Sequence, residues 1–238
     1  TGLATQPTDR AAVRQSQTPG QKLAGLVQRM APELARALPK HVNAERMARI
    51  VLTALRINPK LADCSEASFL GAVLTAAQLG LEPAGVRGEA YLVPFKGACT
   101  LIPGWRGLIK LALRSKAVKS ITAHVVREGD EFVVALGTSV KIHHIPALNA
   151  GPDREVIAAY AVATLANGEI DVEVMDGDDL ERIRTFATKN GTSPAYTEWA
   201  DQMARKAPIR RLCKRLPLGD DYFIAAKLDE LHEQGKPD

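Results

Sequence analysis

The chain has 238 residues, 46% of them hydrophobic, only 11 aromatic, and a formal charge of +4. That apolar content suffices for a packed core in one large domain or two small ones. No run approaches the roughly 18 apolar residues of a membrane span, and Thr1–Arg10 lacks the apolar segment of a signal peptide. Three cysteines, Cys64, Cys99 and Cys213, show no CxxC spacing and fit neither a disulfide framework nor a zinc finger. Membrane and secreted classes are thereby excluded, and a reducing, cytoplasmic compartment is expected.

In chain order, Thr1–Gly20 is rich in Thr, Gln, Pro and Ser without apolar periodicity and reads as a disordered arm. Gln21–Ala37 reads as helix, with Pro32 kinking it or opening a second short helix. Asn43 is an N-cap, followed by Met47, Ile50, Val51, Ala54 and Leu55 on one helical face until Asn58-Pro59. Ser65 caps the next helix, whose buried stripe is Leu70, Val73, Leu74 and Ala77 and whose C′ residue is Gly80.

The pattern changes at Pro83. Glu89–Phe95 and Ala98–Ile102 are short β-prone runs joined by Lys96-Gly97, a hairpin signal. Gly104–Ser115 reads as helix, then strands follow near Ser120–Arg127, Glu131–Leu136 and Val140–Ile145. Val156–Leu165 and Glu169–Met175 form a further hairpin around Asn167-Gly168. A helix starts near Asp176, and a long helical stretch follows the Asn190–Pro194 loop as far as Leu216. The expected class is α+β: N-terminal helices, central antiparallel β-hairpins with an inserted helix, and a C-terminal basic helix. After the arm at 1–20, one domain covers 21–218, with a helical subregion over 21–82 and an α/β core over 83–218. Residues 219–238 form a short tail.

The net charge conceals a segregated distribution. Arg87–Arg127 carries eight basic residues against one acid, Glu89, and Gln202–Leu218 carries six against none. These windows hold +7 and +6, leaving the rest of the chain at −9. Arg106, Lys110 and Arg114 share one helical face at i, i+4, i+8. Lys206, Arg210 and Lys214 repeat that spacing, with Arg211 and Arg215 alongside. Each like-charge i, i+4 pair opposes an isolated helix by roughly 0.2–0.5 kcal/mol. A phosphate backbone would convert that repulsion to attraction. An acidic surface elsewhere in the fold would do the same, and Glu169–Glu181 is the stretch able to supply one.

Arg87, Lys96 at the hairpin tip, Lys119 and His124 extend the basic set, and Tyr91, Phe95 and Trp105 are candidates for base stacking. The expected nucleic-acid-binding residues are therefore Arg87, Lys96, Trp105, Arg106, Lys110, Arg114, Lys119, His124, Lys206, Arg210, Arg211, Lys214 and Arg215.

Catalytic signatures are missing. There is no GxxxxGK[ST] phosphate loop, GxSxG or HExxH motif. His143 and His144 are adjacent on a strand and point to opposite faces, so they do not share a metal. No cofactor is expected, and Mg²⁺ has no motif behind it. One alternative is a metal-dependent nuclease using carboxylates of residues 169–179. Another is a sequence-specific duplex binder, which no helix-turn-helix signature supports.

Several segments in order carry a resemblance: Leu38-Pro39-Lys40-His41, Glu45–Leu55 with Asn58-Pro59-Lys60-Leu61, and Ser68–Pro83. It continues through Glu89–Phe95, Ile102–Ala112, Arg114–Val126 and Ile209–Leu218. Together they resemble the RecT family of phage-type recombinases from about Leu23 to Leu218. The resemblance implies an ATP-independent protein that coats single-stranded DNA as an oligomeric ring or helical filament and pairs it with a complementary strand. It also implies action beside a phage exonuclease in the bacterial cytoplasm, with single-stranded DNA and the annealed duplex as partners. Trp105 stands where the family often has Tyr. Ala207-Pro208 interrupts the late basic helix, Pro208 being expected to begin a new one. The tail after Leu218 has no counterpart.

Overall fold

The computed structural model describes residues 18–39, 43–151, 154–188 and 194–234. Most of the expected arm, Lys40-His41 and the start of the Asn190–Pro194 loop lie outside them. Among the described residues, no helix is long and apolar enough to cross a membrane.

Local chemistry sets the N-terminal helices. Thr18 caps α1 (Pro19–Arg29): its Oγ1 accepts from the Gln21 N–H at 3.3 Å, while the Gln21 side chain accepts from the Thr18 N–H at 2.9 Å. Pro32 falls in the first turn of α2 (Ala31–Ala37), opening a second helix rather than kinking the first. Asn43 caps α3 (Ala44–Ile57), its Oδ1 accepting from the Arg46 N–H at 3.0 Å. A 3₁₀ turn, Pro59–Asp63, leads to α4 (Glu66–Leu79), capped by Ser65 and ended by Gly80 at φ +61°. Phe69, Ala72 and Ala76 are buried on α4 beside the expected Val73 and Ala77, whereas Leu70 and Leu74 are only half-buried. The buried face widens because both α2 and the following hairpin pack against it.

That hairpin pairs β1 (Ala90–Phe95) with β2 (Ala98–Pro103), from Ala90↔Pro103 to Phe95↔Ala98. Lys96 and Gly97 take positive φ, +48° and +80°, as the two central residues of a type I′ turn must. Next comes α5 (Trp105–Arg114), which buries Leu108, Leu111 and Ala112 as its apolar stripe requires.

Five strands follow: β3 (Val118–Arg127), β4 (Glu131–Ala135), β5 (Lys141–Ile145), β6 (Val156–Leu165) and β7 (Ile170–Asp176). β3, β6 and β7 form one antiparallel sheet with β6 in the middle, while β4 and β5 form a separate ribbon. The ribbon lies on one face of the sheet, where the Phe132 ring stacks on Tyr160 at 5.4 Å between centroids. Asp130 fastens it there, accepting from Arg154 and from the N–H groups of Arg127 and Ala147, with His144 Nε2 at 3.1 Å. These donors, Arg154 foremost, hold the Asp130 carboxyl well below the usual carboxylate range.

After α6 (Gly177–Thr188) and α7 (Pro194–Glu198), α8 (Ala200–Cys213) covers the opposite face of the sheet. The expected break at Pro208 does not occur, and α8 runs through it. Pro208 offers no donor to the Ala204 carbonyl, but Pro208, Ile209, Leu212 and Cys213 are all buried, so tertiary packing holds the helix despite its local weakness. Residues 219–238, expected as a tail, carry α9 (Asp220–Glu233), with Tyr222 and Ala225 buried. One hydrophobic cluster reaches from Leu23 in α1 to Ala225 in α9. The class is α+β, helices around antiparallel strands.

Candidate nucleic-acid interface

Two glycines bring the first basic helix onto the loop before β1. The Gly104 N–H donates to the Glu89 carbonyl at 2.9 Å. A Cβ at Gly104 would stand 2.2 Å from the Gly88 carbonyl oxygen, and one at Gly107 only 2.0 Å from that of Glu89. Only glycine permits this approach. It sets Arg106 beside Arg87, whose carbonyl accepts from Arg106 Nη1 at 3.4 Å. Further along, Lys110 Nζ donates to the Gly80 carbonyl at 2.9 Å and Arg114 Nη1 to the Leu79 carbonyl at 2.7 Å. Both cations thus sit on the end of α4, where orphan carbonyls and the helix dipole favour positive charge.

The product is an open groove of about 600 Å³ lined by Arg87, Glu89, Arg106, Ile109, Lys110, Leu113 and Arg114. Four expected DNA-binding residues converge in it. Glu89, 3% exposed, lies against two of them: its Oε2 is 2.6 Å from Lys110 Nζ and its Oε1 is 3.8 Å from Arg87 Nη1. Arg114 also reaches Asp221 at 3.3 Å. Exposed Lys116 and Lys119 directly follow the helix.

Other expected residues stand elsewhere. The Lys96 turn is held at the start of α4, where the Gly97 carbonyl accepts from the Ser65 N–H at 3.0 Å and Ser68 Oγ from the Cys99 N–H at 2.9 Å. The length of α4, about 20 Å, separates it from the groove, which sits at the other end of that helix. Lys96 Nζ lies 5.0 Å from the Phe95 ring centroid. Trp105 is half-buried and donates from Nε1 to Gln202 Oε1 at 2.6 Å, with the Arg106 guanidinium 5.1 Å from its ring. His124 lies on β3 against Tyr160, 5.4 Å between centroids, and burial first, then the charges of His144 and Arg205, lower its pKa.

The second basic helix finds its partners inside the molecule. Lys206, 5% exposed, pairs with Asp229, 1% exposed. Arg210 Nη1 sits 3.1 Å from Asp229 Oδ2 and 2.6 Å from Glu233 Oε1. Burial opposes its charge, but Asp229 and Glu233 outweigh that and raise its pKa. Arg211 bridges Glu173 and Asp179, each at 2.9 Å, and Lys214 reaches Glu230 at 3.2 Å. Arg215 pairs with Glu173 and, at 3.0 Å, with Asp171. The acidic stretch 169–181 thus supplies the partners of Arg211 and Arg215, and α9 supplies those of Lys206, Arg210 and Lys214. Of the carboxylates considered for a nuclease, Asp171, Glu173 and Asp179 are occupied by this pairing. Asp179 is held below its usual pKa by Arg182 first and Arg211 next, despite opposing desolvation.

Among the described residues no three His, Cys, Asp or Glu side chains cluster to hold a metal ion. His144 points inward to Asp130 and Tyr160 while His143 stays exposed, the alternation expected of adjacent strand residues. All three cysteines are buried and none is in a disulfide, and burial pushes the Cys213 thiol up to about 11.

Sequence reasoning named the 169–181 stretch as an acidic partner, which Arg211 and Arg215 find there, but missed the other acids that complete these arrangements. Glu89 was counted only as the lone acid of its window, and Asp229, Glu230 and Glu233 fell in the supposed tail. A cation every fourth residue on a helix that must pack is a signal for such partners. The Gly104/Gly107 spacing is the mark of the close approach that builds the groove. Trp199, 62% exposed at the start of α8, was not singled out either.

The RecT family model matches residues 45–238, so the match includes α9. The chain is also 42% identical over 209 residues to Protein RecT of Escherichia coli (strain K12), covering 84% of this chain and 77% of that protein. With a basic groove on α5 and a match over most of its length, the chain belongs to the RecT family of single-strand annealing proteins.

Proposed function

We infer that this chain binds single-stranded DNA and anneals complementary strands in recombination, the activity its family membership carries, and that the α5 groove is where the strand lies. The observation that supports this site is the convergence of Arg87, Arg106, Lys110 and Arg114 on one open groove, while Lys206, Arg210, Arg211, Lys214 and Arg215 face carboxylates. Phosphates in the groove would release counterions, and Ile109 and Leu113 offer apolar surface to the bases. Lys116 and Lys119 extend the track beyond α5. Neutralised and extended, two strands can test pairing, and base pairing supplies the driving energy. No covalent step is required, so we propose a binding protein rather than an enzyme, with no step assigned to ATP or a bound cofactor.

We further propose that it works as a homo-oligomer, a ring or helical filament on DNA, in the bacterial cytoplasm and beside a phage exonuclease. The test is a strand-annealing assay without ATP, with and without Mg²⁺, read beside negative-stain images. Acceleration over protein-free DNA, with rings or filaments, is expected. Chain scission of labelled DNA would support the nuclease, and no acceleration would defeat the annealing reading. Four phosphate contacts per protomer correspond to a slope of about −3 in log affinity against log salt for single strands.

A further inference from the structure

The groove contains a carboxylate that a phosphate-binding surface does not need. Glu89 is 3% exposed, and its position is fixed: Oε2 accepts from the Glu82 N–H at 3.1 Å and from Lys110 Nζ at 2.6 Å. Its other oxygen lies 3.8 Å from Arg87 Nη1. Lys110 and Arg87 keep 29% and 69% of their side-chain surface exposed, so they can swing to another anion, whereas Glu89 cannot leave. Two groove cations thus have a permanent internal anion to return to.

Resting on the groove reading above, we propose that Glu89 is a positioning residue that competes with the DNA backbone for Lys110 and Arg87. It holds both side chains at the groove when DNA is absent and subtracts one charge from the grip when DNA is bound. A bound strand can then shift register against its complement. Bound too tightly, strands could not move to test pairing. A purely structural carboxylate would stabilise the loop and leave the strength of DNA binding unchanged.

The two roles predict opposite signs. E89Q keeps the shape and removes the charge. It is expected to bind a single-stranded oligonucleotide about threefold tighter at low salt, with a salt slope steeper by ~0.7 and slower dissociation. Equal or weaker affinity with an unchanged slope in folded E89Q overturns the proposal. E89D, which restores the charge, is expected to return the slope to that of the unmodified chain. If E89Q, which leaves Lys110 without its anion, does not fold, K110A is compared with the double variant K110A/E89Q, in which neither member of the pair is left behind. K110A leaves the Glu89 charge with only the more distant Arg87 as a cation, so the double variant is expected to bind more tightly than K110A, and equal or weaker binding defeats the proposal. R106A separates the two readings. A lowered slope in R106A with no change in E89Q sinks only the role of Glu89, whereas unchanged slopes in R106A and R87A remove the groove itself.

Discussion

Arg87–Arg127 and Gln202–Leu218 have similar charge, +7 and +6, and both place a cation every fourth residue on a helix. Their surroundings differ. On α5 the groove contains one buried acid, Glu89, with Asp221 at Arg114, and Arg106 spends its hydrogen bond on a carbonyl. On α8 the cations meet Asp171, Glu173, Asp179, Asp229, Glu230 and Glu233, brought in by β7, α6 and α9. The first helix keeps charge to offer, and the second uses its charge to fasten the C-terminal helix and the sheet. A basic stripe is therefore a statement about a helix, and its availability is a statement about the helix's neighbours.

Acid is the largest perturbation, because it acts on every paired carboxylate together. Glu82, Asp130 and Asp179 all have folded pKa values below their unfolded ones, through Arg46, Arg154 and Arg182 respectively. Their stabilisation is full above the unfolded value, about 4, and disappears as pH falls through the folded values. Melting temperature should be flat from neutral pH to about 5 and fall steeply below 4. A flat profile into that acid range would show that these pairs contribute little.

Next is Asp229→Ala, which strands the buried charge of Lys206 and takes one of the carboxylates from Arg210, which keeps Glu233. Removing one partner of a buried pair costs about 3–5 kcal/mol, or a melting temperature lower by about 10 °C for a chain of this size. A change of under 2 °C would mean that α8 cations are not structural. Gly107→Ala forces a Cβ against the Glu89 carbonyl and should cost about 1–3 kcal/mol by overpacking, with weaker DNA binding as α5 lifts from Arg87. Full DNA affinity in a folded G107A would disconnect that approach from the groove.

The smallest effects sharpen the contrast most. Arg106→Ala should lower the single-strand salt slope by ~0.7 with little change in melting. Arg215→Ala, losing half-exposed pairs to Asp171 and Glu173, should leave the slope alone and lower stability by roughly 1 kcal/mol or less. Reversed outcomes would transfer DNA binding to α8. Slope and melting temperature on the same two proteins decide it.

Features set by a few neighbouring residues were legible in advance. Asn43 and Ser65 cap their helices, Gly80 ends α4, Lys96-Gly97 turns the hairpin, and Leu108, Leu111 and Ala112 form the buried side of α5. Each depends on one residue's φ, one side-chain oxygen or one helical period. α9 was not legible, because its inward positions include Asp229, a charge that breaks the apolar pattern until Lys206 and Arg210 are seen facing it. The continuity of α8 through Pro208 was equally hidden, since a lost hydrogen bond reads as a break unless the burial of Ile209 and Leu212 is known.

By itself the sequence determined the α+β class, the caps of α3 and α4, the turn of the first hairpin, the concentration of positive charge in two windows and the likeness to the RecT family. These follow from local backbone preferences, periodicity and composition, which need no partner. Only the tertiary structure decided which charges remain available. Whether a cation is free depends on a carboxylate a few ångströms away but, as with Lys206 and Asp229, 23 positions along the chain. Coulomb interaction acts through space, and sequence records only distance along the chain.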